Sequence, residues 1–415
     1  MGDVERVFEE AEEEGVGVVV VRVEDVDVTV ERTADAGDKG SYGSSSTIVV
    51  RVVSDDGLGV SAVSGGEDPV EAFRRALIGA RLGCSDPVDY PDEVSGCPVE
   101  CFDGSAVEQE VLWDVLEGLE AEASVDGVEV TGVTVSGSVS RVEVWTSPDG
   151  PAVRETSSVG ASVEVVGEFS GWSYDQVVGP GDVDVEGLAE EAVEMASEEP
   201  REAPPSGEVT VCFHPRAWAE LVAYTLIPAL SGLNVVKGLS AFSRDDLGER
   251  VGPPGFTLIN DATLDGWPGS YPFDDEGVEA RRTVLVEDGI LKGFYTDLYS
   301  GGRLGIGSTG SGLGAMRPSP SPANVVMEGD VESDGLIEEA DIVVMRVLGA
   351  HTASQVSGRF SVTGLWVEDP DGGRVKPVTI RGNVMGGLKS AEVSRDGDRI
   401  GSLRSPYVKM TCRVG

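Results

Sequence analysis

Histidine is almost missing from this chain: His214 and His351 are the only two among 415 residues. A helical zinc peptidase site needs two imidazoles on one helical face with a carboxylate base beside them, and no His-Glu-x-x-His or related pattern occurs. A two-histidine metal site would have to join these two distant residues. Lysine is scarce as well, with six in the chain. No apolar run approaches the roughly 20 residues of a membrane-spanning helix. The opening MGDVERVFEEAEEEG is acidic rather than a basic-then-apolar signal, so a cytoplasmic protein with no membrane role is expected. The five cysteines are an odd number in a long chain and give no disulfide framework. Cys97 and Cys101 form a Cys-x3-Cys pair that no second pair or nearby histidine completes, so they read as loop cysteines. There is no Walker A sequence and no Gly-x-Ser-x-Gly elbow between a strand and a helix.

What is abundant is negative charge. Asp and Glu number 74 against 31 Lys and Arg, for a formal net charge of -43. The excess runs along the chain instead of ending in a tail, and it reads as a solvated surface suited to high salt. Such a surface repels phosphates and anionic lipid, which argues against nucleic acid as a partner. At 415 residues the chain is long enough for two or three domains.

The pattern along the chain predicts an α+β protein. Its N-terminal region has helices and antiparallel strands, and a β-rich C-terminal domain built on antiparallel sheet follows. An acidic helix over 3–14 is followed by the alternating run VGVVVVRVEDVDVTVERT, a strand or two, and by a hairpin turning at Asp55, Asp56 and Gly57. Asp68 and Pro69 have the N-cap and first-turn character of a helix that ends near Gly83. Cys84–Gly104 is rich in Pro, Asp and Gly and reads as a linker or long loop. A helix over 106–121, further alternating strands and a helix over 182–197 come next. The Pro-rich acidic stretch near 198–207 is the expected main boundary. The organisation expected is thus 1–85, 86–205 and 206–415.

Just past that boundary, Val209, Val211 and Phe213 alternate as in a strand, and Pro215 is suited to open a helix. Trp218, Leu221, Val222, Leu226 and Leu230 then recur at spacings of three and four. This predicts one long apolar helix that Gly232 stops. Downstream, FTLIND, RRTVLVEDG, ILKGFYTDLYSG, ADIVVMRVLGA, GRFSVTGLWVED and KPVTIRGNVMGG read as strands or hairpins, with Val286–Gly289 a Glu-Asp-Gly turn between neighbouring antiparallel strands. Gly305-x-Gly307-x-x-Gly310 is formally a dinucleotide fingerprint, but MRPSPSPAN follows it and no helix opens there, so a loop is the better reading. Asp274, Asp275 and Glu276 are three adjacent carboxylates that could chelate a hard cation, although a solvated turn is the expectation. His351 follows an apolar run at a strand end, where a side chain can reach a cleft or serve structure alone.

Together LSAFSRDDLGERV, NDATLDGWPGSYPFDDEGVEARRTVLVEDGILKGFYTDL, GSTGSG, PSPANVVMEGD, GAHTASQVSGRFSVTGLWVED and RGNVMGGLKSAEVSRDGD resemble the TldD/PmbA family, once called modulators of DNA gyrase. The order and spacing agree over roughly 206–400. In the TldD branch the long helix carries HExxxH and the protein is a zinc peptidase. The PmbA branch, also called TldE, lacks the motif and pairs with TldD. Aligned through Ala229, Leu230 and Gly232, the histidine positions fall on Ala223 and Pro228 and the glutamate on Tyr224. The Gly-x-Cys-Gly ligand segment of the TldD branch corresponds to VSRDGDRIGSL, which has no cysteine, and Cys412 beyond it reads as core.

The resemblance therefore implies a PmbA/TldE-like subunit without catalytic or metal residues of its own. It would form a heterodimer with a TldD-like partner that holds the zinc, and the complex would act on unfolded or small peptides bound as an added strand. Asp275, Gly277, Ser308, Thr309, Gly310, Asn324 and His351 are the residues expected to face the shared cavity. Two alternatives stay open. One is a stand-alone homodimeric binding or regulatory protein. The other is a hydrolase in which Asp274, Asp275 or Glu276 works with a metal recruited by His351.

Overall fold

Long valine alternation produces long strands. The computed structural model describes residues 2–83, 85–197, 200 and 202–415. The run after Gly15 is one strand, β1 (Gly17–Thr33), paired along its whole length with β2 (Gly37–Ser54). The turn at Asp55 and Asp56 leads into β3 (Gly57–Ser64). β4 (Glu129–Trp145), β5 (Ala152–Val166) and β6 (Ser170–Val177) complete an antiparallel sheet in the order β3-β2-β1-β4-β5-β6. Because β1 pairs with β2 on one side and β4 on the other, residues 1–85 and 86–205 share this sheet.

The period of two decides what each face meets. Val18, Val20, Val28 and Val30 face four helices: α1 (Gly2–Glu14), α2 (Pro69–Arg81), α3 (Gln109–Ala123) and α4 (Val185–Ser197). Asp68 caps α2 as expected, its carboxylate accepting from the Val70 amide at 3.0 Å. Val19 and Val21 face the other way, joining Val142 and Val144 of β4 and, from the second half of the chain, Phe273. Within the expected linker and boundary stretches, Cys84, Glu198, Glu199 and Arg201 lie outside the described residues.

The second half begins with β7 (Gly207–Phe213), α5 (Pro215–Ala223), α6 (Leu226–Ala229) and α7 (Gly232–Val236). Here the single long helix is corrected: it is three short ones. Tyr224 caps α5, and Thr225 takes φ -125 and ψ -80, outside the helical region, while its hydroxyl donates to the Leu221 carbonyl at 2.7 Å. Pro228 has no N–H to continue an i→i−4 ladder across this break. Gly232 opens α7 instead of stopping a helix.

β8 (Thr257–Asp261), β9 (Arg282–Glu287) and β10 (Ile290–Leu291) follow, the last two joined by the expected turn with Asp288 at φ 50 and Gly289 at φ 71. The expected strand in ILKGFYTDLYSG shrinks to β10. Asp297, whose carboxylate accepts from the Ser300 amide at 2.7 Å, turns the remainder into helix α8 (Leu298–Leu304). A small hairpin, β11 (Gly312–Leu313) and β12 (Ser319–Pro320), leads to β13 (Asn324–Glu328) and α9 (Ser333–Glu338). β14 (Ile342–Leu348), β15 (Arg359–Glu368), β16 (Arg374–Val375), β17 (Val378–Asn383), α10 (Val384–Leu388), β18 (Glu392–Ile400) and β19 (Leu403–Val414) finish the domain.

These strands form a sheet in the order β10-β9-β8-β13-β19-β17-β15-β14-β7, and β7 also pairs with β19. The second contact closes β19, β17, β15, β14 and β7 into a ring. Its core includes Phe213, Trp218, Leu221, Phe360 and Ile380, and Cys412 is buried there as expected. Two-faced sheet below, closed ring above: the fold is α+β with a β-rich C-terminal part.

Candidate functional site

α5 bridges the ring and the six-stranded sheet. His214 ends β7 and caps the helix, its Nδ1 accepting from the Arg216 amide at 3.3 Å. Burial holds the imidazole neutral, its pKa pushed down to about 3. Ala217, Trp218, Leu221 and Val222 face the core. That rotation leaves Glu220, Ala223 and Tyr224 on the opposite side, at the wall of a cavity of about 750 Å³. A volume of this size is ordinary for a ligand pocket.

Three surfaces enclose that cavity. The floor is the inner face of the six-stranded sheet, with the small side chains of Thr134, Ser136, Gly160 and Ser162. Trp172 and Tyr174, stacked at 5.8 Å, rise from β6 beside it. Opposite, the end of β14 brings Leu348, Ala350 and His351, whose ring meets that of Tyr224 edge-on at 6.5 Å.

The wall has a buried ionic support. β14 breaks register around Arg346, the kind of bulge that re-aims a side chain. Arg346 is 1% exposed, lies 4.4 Å from the Trp172 ring, and reaches Glu191 at 3.0 Å and Glu220 at 3.3 Å. The Glu220 carboxylate also accepts from the Val347 amide at 3.3 Å. Burial raises the pKa of Glu220, and Arg346 works against that rise. Glu220, Arg346, Trp172 and Tyr174 are not among the residues that the sequence singles out. A lone charge inside the apolar strand VVMRVL, and a lone glutamate four residues before Tyr224, were the available signals.

Of the residues expected to face a shared cavity, only His351 lines this one. The structure places the others in supports between and within the layers. The acidic triplet is corrected from a solvated turn to a buried one: Asp274, Asp275 and Glu276 are 0%, 6% and 3% exposed. Two arginines from the six-stranded sheet make that possible. Arg51 donates to the Asp275 and Ala315 carbonyls, both at 2.5 Å. Arg154 donates to the Phe273 carbonyl at 2.5 Å and to the Asp275 carboxylate at 2.6 Å. Asp274 accepts from the Glu276, Val278 and Gly312 amides, and Glu276 accepts from the Leu298 amide. Gly277 turns this segment at φ +79.

Ser308 and Thr309 bond back to Thr296, and Gly310 sits at φ +67 where a Cβ would fall 2.3 Å from the Glu279 carbonyl. Asn324 is buried, accepting from the Gly269 amide and donating to the Asp261 carbonyl and the Ser270 hydroxyl. Glu276 borders a separate, larger space of about 1040 Å³ with Tyr90 and Asp297, and Ser308 a smaller one of about 530 Å³ with Asp86. The structure does not bring His351 to the triplet, and among the described residues no three His, Cys, Asp or Glu side chains gather as metal ligands would.

The positions that the resemblance assigns to the motif part company in the structure. Ala223 and Tyr224 are in the 750 Å³ cavity, while Pro228 sits half-buried on the other side of the helix break. Residues 206–414 match the PmbA/TldA metallopeptidase C-terminal domain and residues 102–198 the central domain. The chain belongs to the PmbA/TldD metallopeptidase family. TldE from Thermococcus kodakarensis is 25% identical and superposes over the whole of both chains with a TM-score of 0.84. A candidate modulator of a DNA gyrase from Thermotoga maritima, 24% identical over 100% of this chain and 99% of its own, has the same fold at a TM-score of 0.88. An uncharacterized protein of Methanocaldococcus jannaschii is 26% identical over 98% of each chain. A metalloprotease of that organism is 35% identical, but over 32% of this chain and 30% of its own.

The family's zinc does not fit here. Alanine, tyrosine and proline offer no imidazole at the motif positions, and the stretch from Val393 to Leu403 has no cysteine. Cys412 is buried in the ring core, and burial pushes its thiol up to about 12, far from the thiolate a metal needs. No helix among the described residues is long and apolar enough to cross a membrane.

Proposed function

We propose that this chain is the non-catalytic, TldE-like subunit of a two-chain cytoplasmic peptidase. The zinc and its ligands belong to a TldD-like partner, and the complex acts on unfolded or small peptides. One observation carries the reading: a cavity lies at the expected position on α5, but the motif residues that border it are Ala223 and Tyr224. A small-residue floor beside the Trp172 and Tyr174 rings suits an extended, weakly polar segment better than a charged metabolite. The proposed division of labour leaves binding and enclosure to this chain and water activation to the other.

Co-expression with a TldD-like chain carrying HExxxH tests this. The pair should co-elute as one species and cleave casein-derived peptides faster than the zinc chain alone. Separate elution together with unchanged cleavage would sink it. A stable homodimer with no TldD association would instead support the stand-alone regulatory reading.

A further inference from the structure

The cavity of about 1040 Å³ is lined by none of α5 and takes its walls from both halves of the chain. Leu58 and Val60 of β3, with Val88 of the loop after α2, make one side apolar. Leu233 of α7 does the same opposite, with Met316 and Pro318 of the turn between β11 and β12. Two buried carboxylates border this space: Glu276 is 3% exposed and Asp297 2%. Each spends one oxygen inside the fold. Glu276 Oε2 accepts from the Leu298 amide and Asp297 Oδ1 from the Ser300 amide, both at 2.7 Å. Among the described residues no donor reaches Glu276 Oε1 or Asp297 Oδ2, and neither carboxylate forms an ion pair.

The nearby charges do not satisfy these oxygens. Arg51 directs its N–H groups to the Asp275 and Ala315 carbonyls. Asp86, also in the wall, pairs with Arg303 at 3.8 Å, and Lys237 and Arg317 are exposed to solvent. A buried carboxylate is ordinarily matched by donors on all its oxygens or by a counter-charge. Two carboxylates fall short of a metal's ligand set, and the walls around them are apolar. A cation that carries its own N–H donors on a hydrocarbon stem matches both the oxygens and the walls.

We propose that this cavity binds a primary alkylammonium group, held by Glu276 Oε1 and Asp297 Oδ2, with its stem along Leu58, Val60, Leu233 and Met316. A free alkylamine and the lysine side chain of a peptide share this chemistry. The proposal concerns this chain alone and does not depend on a zinc-bearing partner. Proton linkage gives it a signature. Burial, and Asp274 beside it, push the Glu276 pKa up to about 8; Asp297 adds to the rise, while the Leu298 amide and Arg51 oppose it. Tyr90, the other titratable group there, stays protonated, its pKa pushed up by burial to about 12. Below pH 8 Glu276 therefore keeps its proton and must release it to solvent to pair with an ammonium ion, which retains its own. Affinity should then rise about tenfold per pH unit between about pH 6 and 8.

Calorimetric titration of the full-length chain with hexylamine, in two buffers of different ionisation enthalpy, tests it. One proton should be released per amine bound near pH 7, and hexanol and hexanoate should not bind. Glu276→Gln and Asp297→Asn should each weaken binding at least tenfold, and Glu276→Gln should abolish the proton release. Glu338→Gln removes an exposed carboxylate on α9 and should leave affinity within twofold, which separates this site from the general attraction of cations to an acidic chain. Unchanged circular dichroism confirms that each variant folds. A peptide blocked at both ends with one central lysine is the second ligand. If it binds at least as tightly as hexylamine, the group recognised is a lysine side chain; if hexylamine alone binds, it is a free amine. Binding of neither, or equal binding by wild type and Glu276→Gln, overturns the proposal.

Discussion

Arg154 on β5 holds the Asp275 carboxylate at 2.6 Å, and both side chains are only 8% exposed. This pair joins the six-stranded sheet to the second half of the chain. Removing one member leaves the other charge buried without its counterion, a change that costs roughly 3–5 kcal/mol. Arg154→Leu should lower the urea midpoint sharply. Arg154→Leu combined with Asp275→Leu should be less destabilised than the two single effects added together. Additive losses in that cycle would show that the pair is not coupled.

Glu276 sets a pH dependence. Burial, and Asp274 beside it, push its pKa up to about 8, and burial raises Asp274 to about 6. An acid whose folded pKa is raised binds its proton more tightly in the native state. Stability from such a group is therefore greatest below the unfolded pKa near 4 and falls as pH rises toward 8. Glu276→Gln keeps an acceptor for the Leu298 amide and removes the titration. The variant should be more stable than wild type at pH 8, by on the order of a few kcal/mol, and should show a flatter urea midpoint between pH 5 and 8. An unchanged slope would contradict the assignment.

Restoring the motif should fail. Ala223→His, Tyr224→Glu and Pro228→His place histidines on two helices separated by the break at Thr225, with no third protein ligand near Val393–Leu403. Zinc content after dialysis should stay well below one per chain, and peptide cleavage should stay at background. Stoichiometric zinc would show that the helix break closes on metal binding.

Arg346→Met removes the ion pair of Glu220, and one of the two of Glu191, which keeps Arg216 at 2.9 Å, behind the Trp172 ring. A loss of roughly 3 kcal/mol is expected, chiefly from Glu220 left buried without a partner charge. Adding Glu220→Gln should restore part of this, because a neutral amide costs less to bury. Thermal melts of the single and double variants would decide the point.

Gly310→Ala tests whether that residue serves a turn. The left-handed backbone and the Glu279 carbonyl 2.3 Å from a new Cβ make a cost of roughly 1–3 kcal/mol the expected result. Ser308→Ala at the neighbouring position should change stability by less than about 1 kcal/mol. A stable Gly310→Ala protein that lost only peptide binding would return the residue to the cavity group.

Strand alternation, the Asp68 cap, the Glu-Asp-Gly turn and the family motifs were readable because each is a local pattern. Of the lining of the candidate cavity, the sequence pointed to Ala223 and Tyr224, through motif positions a few residues apart, and to His351 at a strand end. What escaped notice depends on contacts between distant segments. Thr225 breaks the helix through its own backbone geometry, which the apolar spacing of Trp218 to Leu230 conceals. Asp274 to Glu276 resembled a surface turn because Arg51 and Arg154, which make their burial tolerable, come from strands far earlier in the chain. Asn324 and Ser308 carry functional side-chain types, yet their partners, the Gly269 amide and Thr296, use them for structure.

The ring of β19, β17, β15, β14 and β7 closes through the contact between β7 and β19. During synthesis β7 is made long before β19 exists to cover it, so its Val209, Val211 and Phe213 must wait with one side of the strand unpaired. Contacts of such long sequence separation are slow to form and leave intermediates that aggregate. A nascent chain arrested before β19 should accordingly be a chaperone client, and the release of β19 should be the event that ends its dependence.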